Sequence, residues 1–167
     1  MVKFIGDFVL DKEIGKGSFG TVRLAWRKND PSQKYAVKIL RRADIFSKEK
    51  TKQLYLNEIQ AMQNLTHCNV MKLYFEILSE NNVYLVLRYC QDGDLGTYLK
   101  KKGIEYLGEE ETVGYLKQIA NAFKAMNQVN IMHRDLKLEN ILVDKGTLVI
   151  GDFGCSKLVT SVKNDPL

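Results

Sequence analysis

The sequence predicts an α+β fold in which an N-terminal five-stranded antiparallel sheet with one helix precedes a mainly α-helical lobe. Three observations lead to this prediction. Apolar and polar residues alternate with a period of two up to about residue 40, residues 48–65 have the period of a helix, and helical patterns dominate after residue 90. Because the first strands follow one another without intervening helices, we expect a meander of antiparallel strands.

Three consecutive strands open the predicted sheet, and each places alternate side chains on one face. The positions that share a face are Phe8, Leu10 and Ile14 in the first strand, Val22, Leu24 and Trp26 in the second, and Ala36, Lys38 and Leu40 in the third. Residues 29–32, which include a proline, predict the turn between the second and third strands.

A helix is predicted at residues 48–65. Its apolar stripe surrounds Glu58 and comprises Leu54, Tyr55, Ala61, Met62 and Leu65. Strands at residues 71–78 and 83–89 then complete the sheet. Helices are predicted at residues 94–102 and 109–128, and short strands at residues 141–143 and 147–150. We therefore place an N-terminal lobe at residues 1–89 and a C-terminal lobe at residues 90–167.

The longer helix carries its own apolar stripe and opens with three glutamates, which suit a helix N-terminus. The stripe comprises Val113, Leu116, Ala120, Phe123 and Met126.

The composition is that of a folded protein. Of the 167 residues, 45% are hydrophobic and 27% charged, with a net charge of +5, which excludes a disordered chain. Basic residues stand in short runs, so we predict no nucleic-acid partner. No secretory signal or transmembrane segment is evident. With three cysteines that lack metal-ligand spacing, these features predict a cytoplasmic protein with reduced thiols.

Residues 15–22 form a Gly-x-Gly-x-x-Gly-x-Val pattern built on Gly15, Gly17 and Gly20. Such glycines serve either in a plain hairpin turn or in a loop whose backbone approaches phosphates. A dinucleotide-binding fold would begin a helix directly after the third glycine. Here the next segment has the period of a strand, so the dinucleotide alternative is disfavoured.

Two charged residues stand at predicted apolar positions. Lys38 lies within an apolar strand, where its charge is costly to desolvate unless the strand is at an edge and the side chain extends to water. Glu58 lies in the apolar stripe of the first long helix. A buried carboxylate must find a cation or become neutral, so the two residues are interpreted as one buried ion pair, with two separate surface charges as the alternative.

The segment at residues 133–140 is polar, and Asp152 follows the strand at residues 147–150. A hairpin between the two short strands would bring Asn140 and Asp152 side by side. Two such oxygen ligands, completed by phosphate oxygens, suit Mg²⁺. Asp135 lies one short loop away and would be free to accept a proton. His133 is expected in the core.

These four segments, in this order, resemble the eukaryotic Ser/Thr protein kinase catalytic domain, and the resemblance covers all 167 residues. It implies a protein-kinase-like fold, ATP and Mg²⁺ as cofactors, and protein substrates with Ser or Thr acceptors. A full domain would continue past Leu167 through an activation loop and substrate-binding helices. We therefore expect an incomplete C-terminal lobe and an exposed apolar patch on the helix at residues 109–128.

The resemblance also implies a role for individual residues. Catalytic roles are implied for Asp135, Lys137, Lys38 and Glu58, and metal ligation for Asn140 and Asp152. The loop over the ATP phosphates would comprise Gly15, Lys16, Gly17, Ser18, Phe19 and Gly20. The adenine would lie among Ile14, Val22, Ala36 and Leu142, with Leu87 as gatekeeper and Arg88, Tyr89 and Cys90 as hinge. Arg134 resembles an arginine that receives an activation-loop phosphate, and Phe153 one whose packing separates active from inactive states.

Residues 89–99 and 117–120 are similar to the autophagy-initiating kinase group, although calcium/calmodulin-type kinases share parts of the pattern. Two functional interpretations stay open. The chain is a Ser/Thr protein kinase, or it is a truncated non-catalytic fragment that binds a nucleotide or a partner. Scaffold or regulatory proteins are further partners that the resemblance allows.

Overall fold

The computed structural model describes residues 3–17 and 20–159. The chain divides into two compact units. The first takes the chain up to Tyr55 together with Lys72–Cys90, and the second takes Leu56–Met71 together with the chain from Gln91 onward.

The first unit contains an antiparallel sheet. Its strands are β1 (Lys3–Ile5), β2 (Phe8–Gly17), β3 (Gly20–Arg27), β4 (Asp30–Arg41), β5 (Leu73–Leu78) and β6 (Asn82–Arg88), in the order β1-β2-β3-β4-β6-β5. The predicted fold class is confirmed, and the described sheet has six strands where five were expected. The additional strand, β1, has three residues, which is too short to reveal a period in the sequence.

The turn between β3 and β4 is shorter than predicted. Arg27 pairs with Asp30, so the connection consists of Lys28 and Asn29, and Pro31 lies in the strand. The prediction of a turn over residues 29–32 is therefore wrong for its last three positions. Proline is tolerated at the start of a strand because its missing N–H interrupts no central ladder there.

The two faces of β4 differ as the alternation predicts. Tyr35 and Val37 are buried in an apolar cluster with Ile5, Phe8, Leu10, Ala25, Tyr84 and Val86, and Ile39 packs against it. The alternate residues Ala36, Lys38 and Leu40 occupy the opposite face.

The described chain has helices α1 (Arg42–Phe46), α2 (Glu49–Asn64), α3 (Leu95–Lys101) and α4 (Glu109–Gln128). The sequence predicts α2, α3 and α4 to within a few residues, but not α1, which at five residues spans little more than one turn. None of the described helices is long and apolar enough to cross a membrane.

A hairpin organises the second unit. Its strands are β9 (Ile141–Asp144) and β10 (Thr147–Ile150), and β7 (Gly93–Asp94) extends it beside β9. A separate two-stranded pair joins β8 (Ile131–Met132) to β11 (Lys157–Leu158). One apolar cluster of this unit consists of Leu95, Ile141, Val143 and Leu148, with Tyr98, Leu99, Tyr115 and Ile119 packed against it.

Most of the apolar stripe predicted for α4 faces solvent. Val113, Leu116 and Phe123 are 41%, 58% and 40% exposed, and only Met126 of the predicted set is fully buried. The packed side of the helix contains Tyr115 and Ile119 instead. The expected exposed apolar patch is thus present on α4, and the sequence period identified the apolar stripe without telling which side of the helix is covered.

Candidate functional site

The three glycines of the sequence pattern belong to the hairpin of β2 and β3. Gly15 pairs with Val22, and Gly17 pairs with Gly20. The ladder therefore continues up to the turn on both strands, and no helix follows the third glycine. This geometry agrees with a strand–loop–strand arrangement and excludes the helix that a dinucleotide-binding turn requires at this position.

Gly20 is required by close packing. A Cβ atom at this position would collide with the carbonyl oxygen of Ile39 on β4. Of the other predicted loop residues, Lys16 is exposed and pairs with Thr21. Ser18 and Phe19 lie outside the described residues.

Lys38 lies on an internal strand. β4 has β3 on one side and β6 on the other, and Lys38 stands opposite Val22 and Leu85. Leu85 is fully buried and Lys38 is half-buried. The alternative of an edge-strand lysine is therefore excluded, and the ammonium group starts from an apolar face on which an anionic partner or ligand stabilises it.

The adenine-pocket residues predicted within the first unit lie on that same face or beside it. Ala36 lies two residues before Lys38 on β4 and stands opposite Leu87 on β6. Ala36 is 9% exposed and Leu87 is 8% exposed. Val22 is half-buried and Ile14 is 38% exposed. These side chains provide an apolar surface next to the lysine.

The remaining pocket residues lie on either side of the unit boundary. Arg88 is half-buried, and its backbone N–H donates to the carbonyl oxygen of Lys72 at 3.0 Å. Cys90 is 9% exposed at the end of the first unit. Leu142 belongs to the second unit, where it pairs with Val149 across the hairpin.

Glu58 occupies the buried side of α2. It is 6% exposed, and the neighbouring stripe residues Tyr55, Ala61 and Met62 are buried as well. The predicted placement of a carboxylate in an apolar stripe is confirmed. The preceding residue, Asn57, donates from Nδ2 to the backbone oxygen of Ser156 at 3.2 Å, which connects this part of the helix to the segment after Asp152.

Asp135 is the centre of a polar cluster within one loop. The ammonium group of Lys137 donates to Oδ2 of Asp135 at 2.9 Å. The Nδ2 atom of Asn140 donates to the same oxygen at 3.1 Å and to the Asp135 backbone oxygen at 2.8 Å. Three residues with predicted roles are therefore brought together, and the carboxylate has a fixed orientation.

This arrangement shifts the pKa values of two of its members. The hydrogen bond from Lys137 lowers the pKa of Asp135 below its ordinary value; partial burial opposes this effect and the hydrogen bond from Asn140 adds to it. The same Asp135 hydrogen bond raises the pKa of Lys137. At neutral pH the pair is therefore a carboxylate and an ammonium.

The β9–β10 hairpin brings the second predicted pair into proximity. Ile141 pairs with Ile150, and the N–H of Gly151 donates to the Asn140 carbonyl oxygen at 2.9 Å. Asp152 therefore follows directly after the residue opposite Asn140. Its carboxylate side chain is exposed, and its backbone has a φ of 58°, a left-handed conformation that costs energy for a residue with a side chain.

His133 supports this turn from the core. It is 2% exposed, and its Nε2 lies 2.9 Å from the Gly151 oxygen. Its Nδ1 accepts the backbone N–H of Asp135 at 3.3 Å. Its ring also meets that of Phe153 edge-on at 4.9 Å. His133 is thus a core histidine, as predicted, and it links the Asp135 loop to the segment that carries Asp152.

The donor atoms at Asn140 and Asp152 fit a hard cation. Because Asn140 uses its nitrogen on Asp135, its side-chain oxygen remains as an acceptor. Among the described residues no three His, Cys, Asp or Glu side chains are grouped to hold a metal by themselves. Two protein oxygens completed by phosphate and water oxygens match the way Mg²⁺ is held at phosphate sites.

The side chain of Arg134 contacts backbone oxygens of the segment that follows Asp152. Its Nε donates to the Cys155 oxygen at 2.8 Å, and its Nη2 to the Ser156 oxygen at 3.3 Å. The residue itself has a φ of 65°. The predicted contact with a phosphate stays a prediction.

Sequence reasoning missed Asn69 and Gln118, which hold the hairpin in place. Asn69 is 5% exposed and donates from Nδ2 to the Gln118 side chain at 3.0 Å and to the Leu148 oxygen at 2.8 Å. Gln118 in turn accepts the N–H of Leu148 at 2.8 Å. The sequence signal that could have identified Asn69 is its position as a polar residue directly before the apolar pair at residues 70–71.

Comparison with known proteins matches most of the chain to one family. The family described as the protein kinase domain matches residues 8–165. The chain is 36% identical over 163 residues to the serine/threonine-protein kinase tricornered of Drosophila pseudoobscura pseudoobscura, and 34% identical over 168 residues to the serine/threonine-protein kinase atg1 of Dictyostelium discoideum. It is 40% identical over 164 residues to the serine/threonine-protein kinase PKH2 of Candida albicans.

These matches cover 96%, 95% and 96% of this chain but only 35%, 24% and 17% of the respective relatives. The chain therefore spans about a third or less of each of them. Since relatives with different names have similar identities, the comparison does not favour one subgroup.

Proposed function

This chain belongs to the protein kinase domain family, and from this premise we propose that it binds Mg-ATP and transfers the γ-phosphoryl group to Ser or Thr hydroxyls of protein substrates. The observation that carries the proposal is the orientation of Asp135 by Lys137 and Asn140, at 2.9 and 3.1 Å. A carboxylate held in this way has one defined position from which to accept a proton.

Asp135 is assigned the role of base. The acceptor hydroxyl gives its proton to Asp135 while its oxygen forms a bond to the γ-phosphorus, and the bond to the leaving oxygen of ADP breaks. Asp135 is a carboxylate at neutral pH, and its lowered pKa further stabilises this charged form, so the substrate hydroxyl meets a group that can accept a proton.

Lys137 is assigned two functions. It holds Asp135 in position in the absence of substrate, and its ammonium group is available to offset negative charge on the transferred phosphoryl group. The resemblance associates a lysine at this position with Ser/Thr kinases, and the names of the relatives agree with that class.

Lys38 is proposed to bind the α- and β-phosphates, with Glu58 as its partner on the helix. The internal position of Lys38 supports this role, because it lies on an apolar face where a charge needs a partner. The hairpin with Gly15, Gly17 and Gly20 would cover the phosphates through its backbone N–H groups.

Asn140 and Asp152 are proposed to hold Mg²⁺. When bound, the ion would neutralise charge on the phosphate oxygens. The chain itself contributes two oxygen ligands, which the hairpin hydrogen bond between Gly151 and Asn140 keeps close together.

The adenine would be held by apolar contacts. The residues proposed for this role are Ile14, Val22, Ala36, Leu87 and Leu142, with the backbone of Arg88, Tyr89 and Cys90 bonded to the adenine edge. The low exposure of Ala36 and Leu87 supports an apolar contact surface at their positions.

The direct test is transfer of labelled γ-phosphate from Mg-ATP to peptides in which Ser, Thr or Tyr is the only acceptor. We expect the Ser and Thr peptides to be labelled. Asp135→Asn should reduce the rate by about 10²–10⁴-fold, because it removes the base but keeps the shape of the side chain. Lys100→Ala, on the exposed side of α3, is the matched control and should retain the rate.

The alternative of a non-catalytic nucleotide-binding chain has a distinct signature. It would bind Mg-ATP without labelling any peptide. An equal rate in Asp135→Asn and the unmodified chain would contradict the proposed role of Asp135.

A further inference from the structure

A surface groove of about 380 Å³ lies in the second unit, away from the residues assigned to phosphoryl transfer. It is lined by His67, Asn121, Lys124, Ala125 and Gln128. The first residue belongs to the loop that follows α2, and the other four belong to α4. The volume is roughly ten times the share of one water molecule in the liquid, so the groove has room for a small hydrated ligand.

The four helix residues form one stripe. Their spacing is i, i+3, i+4 and i+7, which places them on a single face of α4. Ala125 contributes only a methyl group, which leaves space between its neighbours. In the part of the chain that the structure describes, no hydrogen bond or ion pair engages the side chains of Asn121, Lys124 and Gln128.

His67 faces this groove from a rigid loop. The N–H of Asn69 donates to its Nδ1 at 3.1 Å, and the N–H of Val70 donates to its carbonyl oxygen at 3.1 Å. Because Nδ1 accepts a hydrogen bond, the neutral ring carries its hydrogen on Nε2. The buried side chain of Asn69 fixes the loop to Gln118 and Leu148, so little ordering is needed on binding.

Each polar side chain that lines the groove can donate a hydrogen bond, and the two segments that form the groove carry no acidic residue. Lys124 supplies a cation, His67 an N–H, and Asn121 and Gln128 amide N–H₂ groups. The whole chain carries 20 Asp and Glu residues, yet none occurs in residues 59–75 or in residues 112–134, the two segments that form the groove. The ionisable side chains of these two segments therefore contribute no negative charge to the groove.

We propose that this groove binds a phosphate group, either free or carried on a side chain of a phosphorylated peptide. A phosphate monoester presents three acceptor oxygens and a charge of about −1.5 to −2, which matches donors that approach from a helix and from a loop. A single lysine without a row of basic or aromatic residues does not match a nucleic-acid strand. The proposal is independent of the proposed phosphoryl transfer, because none of the lining residues has a role in it.

The test uses the ¹⁵N-labelled 167-residue chain and follows the backbone amide resonances of residues 66–69 and 121–128. Inorganic phosphate is titrated against chloride at matched ionic strength, and a phosphoserine peptide against its unmodified form. We expect saturable shifts at these residues with phosphate and with the phosphopeptide only. Tighter binding of the phosphopeptide identifies modified proteins as the source, and equal affinity identifies the free anion; either result supports a phosphate site.

Two variants make the test specific. Lys124→Gln removes the charge from an exposed position and should weaken binding at least about tenfold. Lys117→Ala is the matched control, because Lys117 lies on the same helix but lines a different groove with Glu109 and Glu110. The proposal is overturned if the shifts are absent, if Lys124→Gln leaves the affinity unchanged, or if the unmodified peptide gives the same shifts. Lys38→Met should leave the phosphate-induced resonance shifts unaffected, which distinguishes this site from the proposed ATP site.

Discussion

At the scale of the residue, the cluster of Asp135, Lys137 and Asn140 shows how a short polar segment orients a carboxylate and stabilises its charged form. The spacing of these residues in the sequence suggested chemistry, but their hydrogen bonds depend on the turn that the loop adopts. The sequence could not predict that Asn140 uses its nitrogen on Asp135, because this contact requires the turn that residues 135–140 adopt. It also gave no sign that Asp152 adopts a left-handed backbone.

The first prediction concerns the ionisation of Asp135. In Lys137→Ala the largest cause of its lowered pKa is removed, so the pKa of Asp135 should rise toward the ordinary value of about 3.9. Carbon NMR of the Asp135 carboxyl group during a pH titration measures this directly. Lys100→Ala is the control for removal of an exposed cation. An unchanged Asp135 titration in Lys137→Ala would show that Lys137 does not set its pKa.

The second prediction concerns Asp94, the N-cap of α3. Its Oδ1 accepts the N–H of Thr97 at 2.8 Å. Burial raises the pKa of Asp94, but the hydrogen bonds from Thr97 and from the backbone of Asp94 and Gly96 together outweigh burial, and the net shift is downward. Asp94→Ala should therefore lower the free energy of unfolding by about 1 kcal/mol at pH 7.

A lowered carboxyl pKa adds stability above the unfolded pKa of about 3.9, and this contribution is lost as the pH falls through the folded pKa. The difference between the unmodified chain and Asp94→Ala should therefore shrink in acid. Asp94→Asn keeps a capping oxygen without the charge and should show a smaller loss. Urea unfolding of the unmodified chain and both variants, at pH 7 and at the lowest pH where the chain stays folded, measures these differences in stability. If the difference between the unmodified chain and Asp94→Ala did not change with pH, the role of the Asp94 charge in capping would be refuted.

At the scale of the element, length decided what could be predicted. The bounds of long periodic segments such as α2 and α4 were predicted closely. The bounds of the β9–β10 hairpin were predicted to within one residue. The short elements β1 and α1 were missed because three and five residues do not establish a period. The apolar stripe of α4 shows a second limit of prediction from sequence. The period of the apolar residues reveals which of them share a face of the helix, whereas their burial depends on what packs against that face.

The third prediction concerns Gly20, where β3 approaches β4 so closely that a Cβ would collide with the Ile39 carbonyl oxygen. Gly20→Ala should force the strands apart and lower the free energy of unfolding by about 2 kcal/mol or more. Gly114 lies within α4 with nothing within 4 Å of an added Cβ. Gly114→Ala should therefore stabilise the chain by up to about 1 kcal/mol. Thermal unfolding compares the two, and equal effects would contradict the packing argument.

At the scale of the whole molecule, the order of the motifs was more informative than any one of them. The glycine pattern, Lys38, the Asp135 segment and Asp152 each have ordinary structural explanations, yet their order predicted the protein kinase domain family that the comparison confirms. The groove at His67 and Lys124 was not predictable, because its residues come from segments more than 50 positions apart and depend on the anchoring of Asn69.

The central claim is that this chain binds Mg-ATP through Lys38, Asn140 and Asp152, and thermal unfolding tests it most directly. Mg-ATP at about 100 times its dissociation constant should stabilise the folded chain by about 2.7 kcal/mol, which corresponds to a rise in Tm of roughly 5–10 °C. Asp152→Ala and Lys38→Met should fold but lose most of this rise. The claim would be contradicted if the Tm of the unmodified chain did not change with Mg-ATP. It would also be contradicted if Mg-ATP raised the Tm of both variants as much as that of the unmodified chain.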